Sequence, residues 1–173
     1  MIVPIYVYGQ RVLRKRAQDV TAVTPELTKL AEDMLETMYQ SNGIGLAAPQ
    51  VGRSIRLIVA DVSMDEEKRE PRVFFNPVIT VRRGSCLAEE GCLSVPGIWA
   101  DVERAETVTV EALDKTGKLK VMKNLSGMLA RCIQHEIDHL DGVLFVDKIS
   151  ATDLLFNKNK LKEIPQEAKS VPA

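Results

Sequence analysis

A chain of 173 residues, 45% of them hydrophobic, is long enough to bury one sizeable core, and a second domain is not expected. Lys and Arg number 23 against 24 Asp and Glu, a net charge of −1, which gives no electrostatic reason to propose nucleic-acid binding. No apolar run approaches the roughly 20 residues of a membrane span, and the opening Met1-Ile2-Val3-Pro4-Ile5-Tyr6 lacks a signal peptide's charged-then-apolar order, so a cytoplasmic protein without membrane contact is expected.

Residues 1–23 mix apolar residues with a basic cluster, Arg11, Arg14, Lys15 and Arg16, and read as an extended segment hugging the surface. Thr24-Pro25 then opens a helix, with threonine as cap, proline at the first position and Glu26 in the first turn. Leu27, Leu30, Ala31, Met34, Leu35, Met38 and Tyr39 follow at helical spacing and make this a core-packing helix. It breaks at Asn42-Gly43 and runs into Gly43-Ile44-Gly45-Leu46-Ala47-Ala48-Pro49-Gln50. This stretch lacks the lysine and hydroxyl residue of a phosphate loop, and its glycines suit a tight turn or a close backbone approach.

Arg56–Asp61 reads as a buried strand and Ser63–Pro71 as a solvated loop. Val73–Val81 continues as strand, interrupted where Pro77 cannot donate to a ladder. After Arg82-Arg83-Gly84 comes Cys86–Gly97, then a hairpin of Thr107–Leu113 with Leu119–Met122. Ser126 can cap a helix to Leu140, Gly142–Lys148 is extended, and Ser150 with Asp153 starts a last helix through about Leu161. The residues from Glu163 onward read as a fraying tail.

The chemistry concentrates on the helix ending at Leu140. His135-Glu136-Ile137-Asp138-His139 places two imidazoles four residues apart on one helix face, where both can close on one metal ion. Glu136 beside them can take a proton from an activated water and pass it to a leaving group. A hydrolytic centre takes three protein ligands and leaves a position open. Of the three cysteines, Cys132 lies on the metal helix but its short thiol points toward the N-terminus, away from the ion, and Cys86 has nothing chemical around it. Cys92, between Gly91 and Leu93, is the better third ligand. A thiolate with two imidazoles suits zinc, ferrous iron, cobalt or nickel, and spacing does not choose among them. Glu89 and Glu90 are candidates for holding a histidine from behind.

Gly43–Gln50, Glu90-Gly91-Cys92-Leu93-Ser94 and Gln134-His135-Glu136-Ile137-Asp138-His139 resemble the three motifs of the peptide deformylase family, in order and at similar separations. The resemblance spans nearly the whole chain and implies an α+β single domain. Antiparallel or mixed sheets would surround the metal-binding helix, with one helix N-terminal and a short one C-terminal. Residues 1–162 would form the catalytic domain and 163–173 a flexible tail. It further implies removal of the N-formyl group from formyl-methionyl peptides and nascent chains, with formate released. Cys92, His135 and His139 would bind the metal, ferrous iron in the cell, with zinc, nickel or cobalt able to replace it. Glu136 would act as base and then acid, while the Gln50 side chain and the Leu93 backbone N–H would stabilise the oxyanion. Ile44, Gly45 and Gly91 would meet substrate. Trp99 stands where some members carry a substrate-contacting arginine, and Arg131 where many have an apolar pocket residue, so both are candidate substrate contacts. Lys158, Lys160 and Lys162 suggest a transient contact with the ribosome. The competing readings are a metallopeptidase, for which a third histidine is missing, and a binding module with a structural ion, for which Glu136 has no use.

Overall fold

The computed structural model describes residues 1–63 and 65–167, and its first regular element is a 3-10 turn at Arg11–Arg14. The segment around it does not merely hug the surface. Ile5, Val7, Leu13 and Ala17 are buried, because apolar residues spaced through the basic cluster reach into the core between solvated arginines.

Helix α1 (Pro25–Gln40) starts as the sequence predicts, with Thr24 Oγ1 accepting from the Leu27 N–H at 3.3 Å. It ends ahead of Asn42, whose φ of +54° turns the chain toward strand β1 (Gly45–Ala47). A 3-10 turn (Ala48–Val51) leads to β2 (Leu57–Ala60), β3 (Arg72–Arg83), the hairpin β4 (Cys86–Cys92) and β5 (Val95–Arg104), then β6 (Thr107–Leu113) and β7 (Leu119–Ser126). Helix α2 (Gly127–Leu140) carries the histidines, and α3 (Ala151–Glu163) follows a 3-10 turn at Phe145–Asp147, where the sequence reads only as extended.

The strands form an antiparallel five-stranded sheet in the order β1-β2-β3-β6-β7 and a separate two-stranded sheet, β4-β5. Alternation along β2 sends Ile58 and Ala60 to one face and Leu57 and Val59 to the other. The first pair meets Ile133 and Ile137 of α2, and the second meets Met34 and Met38 of α1. The hairpin β4-β5 lies across α2 from the main sheet. Its inward residues Val95, Ile98, Ala100 and Val102 pack with Leu13, Phe145 and Leu161. Helix α2 is therefore enclosed on nearly every side: from Ala130 to Leu140 only Asp138 escapes full burial.

Three local expectations change. Ser126 occupies the cap position of α2, yet its side chain accepts no capping bond. Val95–Arg104 is a strand that the Pro96-Gly97 pair conceals in the sequence. Ile164, placed in the fraying tail by the sequence, is 5% exposed and belongs to the core beneath the hairpin, and the Gln166 amide donates to the Tyr8 carbonyl at 3.2 Å. The rest of the predicted tail, residues 168–173, lies outside the described residues. Among the described residues no helix is long and apolar enough to cross a membrane.

Candidate metal centre

Two elements supply the candidate ligands. Helical periodicity brings His135 and His139 together edge-to-face, with ring centroids 5.0 Å apart, and the last residue of β4 brings the Cys92 thiol to 3.3 Å from His139 Nε2. Ligand atoms of Cys92, His135 and His139 all lie within 4.8 Å of one another. A tetrahedral ion with ordinary metal–sulfur and metal–nitrogen bonds needs such atoms about 3.6 Å apart, so this trio fits a divalent cation. Cys132, as its direction on the helix predicts, is not in the trio; its thiol points to the Ile44 carbonyl at 3.4 Å, and burial pushes its pKa well up.

Burial also pushes His139 down, so its imidazole is neutral with a lone pair to offer. For His135 burial works the same way but loses to the partners Cys92 and Glu90, which raise it well above the ordinary value. Phe145 stacks on the His135 ring at 6.0 Å and closes that side.

Behind His135 stands a charged cluster. Glu90, not Glu89, reaches it: Glu90 Oε1 accepts from His135 Nδ1 at 2.8 Å and from Arg104 Nη2 at 2.9 Å, while Oε2 takes Arg104 Nε at 2.6 Å. Burial alone would raise the Glu90 carboxyl, but the bonds from His135 and Arg104 outweigh it and hold it at about 2. Arg104 also donates to Asp138 at 2.8 Å, where Lys148 adds a second cation at 3.0 Å. The sequence did not single out Arg104 or Asp138; alternation along β5, had the strand been recognised, puts Arg104 on the inward face.

On the open side of the trio, Glu136 is 4% exposed and its Oε2 has no hydrogen-bond partner. Burial lifts its carboxyl to about 7, the range in which a group both takes and returns a proton near neutral pH. Gly45 backs onto it so closely that a β-carbon there would lie 2.6 Å from Glu136 Oε1. Gln50 is held by the Ala47 N–H, which donates to its Oε1 at 2.8 Å. That bond aims Nε2 at Ser94 Oγ, 3.1 Å away, and at Cys92 Sγ, 3.6 Å away. Ser94 is a further member of the site that sequence reasoning passed over. Leu93 sits in the two-residue turn between β4 and β5, and half-buried Ile44 packs beside α2.

The two departures from the family pattern behave differently. Trp99 is 65% exposed and its ring covers Gly91, to within 2.6 Å of where a β-carbon would stand, so it lies on the solvent side of the residue next to Cys92. Arg131, expected against substrate, instead turns its guanidinium inward. It donates to Glu90 Oε2 at 2.6 Å and to the carbonyls of Val102 and Cys86 at 2.9 and 2.6 Å.

A thiol and two imidazoles close enough to share a divalent cation, with an unpartnered buried carboxyl on the residue next to one of them, define the site of a metal-dependent hydrolase. The model for the family described as polypeptide deformylase matches residues 2–154. A peptide deformylase of Desulfitobacterium hafniense is 51% identical over 144 residues, covering 83% of this chain and 92% of the relative. That of Thermodesulfovibrio yellowstonii is 47% identical over 161 residues, covering 93% and 97%. Among solved structures, the peptide deformylase of Legionella pneumophila superposes with a TM-score of 0.87 at 45% identity, covering 94% of this chain and 95% of that one. The enzyme of Synechococcus elongatus in complex with actinonin gives 0.89 at 43% identity, covering 98% and 92%. The chain belongs to the polypeptide deformylase family, whose members remove N-formyl groups from nascent peptides.

Proposed function

We propose that this chain deformylates the formyl-methionyl end of newly made proteins in the cytoplasm, with Cys92, His135 and His139 holding one divalent ion, Fe2+ in the cell. Zn2+, Ni2+ or Co2+ would suit the same donors. The observation that carries the reading is the buried Oε2 of Glu136, without a hydrogen-bond partner, on the residue next to His135 and near enough for its charge to help raise that histidine. A bound cation supplies Lewis acidity, polarising the formyl oxygen and making water a better nucleophile.

The protein's own groups do the rest. Glu136 takes the proton of the attacking water at Oε2 and returns it to the departing amine, so that formate and a free N-terminus result. The Gln50 Nε2–H and the Leu93 backbone N–H donate to the oxygen on which charge develops. Strand β1 ends the main sheet, and a peptide laid along that edge would put its backbone against Gly45. Ile44 would line the methionine pocket, while Gly91, under Trp99, would bound the groove opposite. Emerging nascent chains bring the enzyme near the ribosome, and Lys158, Lys160 and Lys162 on α3 would contact it transiently.

The test is formate release from a formyl-Met peptide by protein loaded anaerobically with Fe2+, run beside Glu136→Ala. Release that disappears in the variant while its metal content holds supports the assignment. Peptide-bond cleavage without formate, or a fully active variant, sinks it.

A further inference from the structure

We propose that Arg131 is a positioning residue for the metal centre: it rivets the β4-β5 hairpin, which brings Cys92, to helix α2, which brings both histidines. The trio must close on one ion although its members come from two elements, and Arg131 crosses between them. It lies four residues before His135 on α2, and all three of its acceptors are on the hairpin: Glu90 Oε2 at 2.6 Å, the Cys86 carbonyl at 2.6 Å and the Val102 carbonyl at 2.9 Å.

Arg104 does not make this contact redundant. It comes from β5 and shares the hairpin with Glu90, so its paired bonds to that carboxylate fix Glu90 within the hairpin. Its one reach to α2 is to Asp138, on the outer side of the helix. Arg131 holds Glu90 from the helix itself. Glu90 Oε1 in turn accepts from His135 Nδ1 at 2.8 Å, which keeps that nitrogen protonated and leaves Nε2 for the ion. A buried guanidinium is expensive, and Arg131, 8% exposed as a residue, sets a second cation beside Arg104 on a single carboxylate. Its planar fork suits that task, because three acceptors in three directions need several fixed donors.

The inference rests on the assignment of the metal trio. The experiment loads the parent, Arg131→Met and Arg131→Lys with Co2+ alone and follows its loss to excess EDTA through the thiolate–cobalt absorption band; KM for a formyl-Met peptide is measured in parallel. Losing a partner behind a metal ligand typically weakens metal binding about 10- to 100-fold, so cobalt should leave Arg131→Met at least about tenfold faster, with KM unchanged. Arg131→Lys, which keeps the charge without the fork, should fall between. Should Arg131→Met fail to fold, the lysine variant decides alone. Parent-like cobalt loss overturns the proposal, whether KM rises, as for a substrate contact, or only the melting temperature falls, as for plain packing. A parent that takes up no cobalt would instead overturn the metal trio itself.

Discussion

Gly45 shows how narrowly the carboxylate of Glu136, the proposed base, is placed. Its α-carbon approaches α2 so closely that an added methyl would stand 2.6 Å from both Cys132 Sγ and Glu136 Oε1, closer than non-bonded atoms come. Gly45→Ala must therefore push α2 away or turn Glu136 off its buried rotamer. Overpacking of this kind costs about 1–3 kcal/mol, and because Glu136 is the softer group, turnover should suffer more than stability. The expected result is a modest fall in the urea midpoint with a loss of kcat of at least tenfold. Replacing Cys132 with alanine in the same chain should recover part of it by vacating one of the two clashes. A double variant no better than Gly45→Ala would show that the space around the thiol plays no part. Sequence alone marked this glycine as a point of close approach without saying what approaches it, since Cys132 and Glu136 lie roughly ninety residues away along the chain.

Strands were legible in proportion to their regularity. Alternation in β6 and the helical stripe of α1 needed no tertiary information, and both elements form where the sequence puts them. Strand β5 was hidden because the Pro96-Gly97 pair interrupts its start, although the buried and exposed positions from Ile98 to Arg104 alternate strictly. Only the register of β5 against β4 separates Glu89 from Glu90, pairing them with Asp101 and Ala100 and turning Glu90 inward. Strand β3 carries a comparable irregularity: Pro77 marks it, but Asn76 makes it. Asn76 adopts φ +49°, its Oδ1 accepts from the Val20 N–H at 2.8 Å, and its Nδ2 donates to the Val20 carbonyl at 2.8 Å. The pairing with β6 shifts register just there. Asn76→Ala would lose two hydrogen bonds of about 1 kcal/mol each and retain a left-handed backbone costing about 1 kcal/mol more. Equilibrium urea unfolding should show a loss of about 2–3 kcal/mol, whereas Asn76→Gly should recover the backbone part alone. Equal losses in the two variants would mean the left-handed conformation is not what asparagine provides.

For the molecule as a whole, α2 joins two sheets that make no common ladder, and the charge cluster behind it is part of that joint. Its dependence on pH follows from Glu90. Burial opposes the carboxylate, yet His135 and Arg104 hold the folded pKa at about 2, against 4.5 for the ordinary group. Between these two values the unfolded chain binds more protons than the folded one, so stability rises with pH through that window. The contribution is complete above about 4.5 and gone near 2, and a shift of this size corresponds to on the order of 3 kcal/mol. Metal-free protein should therefore unfold far more readily in urea at pH 3 than at pH 5.5. In Glu90→Gln the protein should be weaker at pH 5.5, where the lost carboxylate leaves two buried guanidiniums facing a neutral amide, and the difference between the two pH values should shrink by most of that amount. An undiminished pH dependence in the variant would assign the acid sensitivity to other carboxylates, and the joint between the sheets would then owe its strength to apolar packing around α2 rather than to the ion cluster.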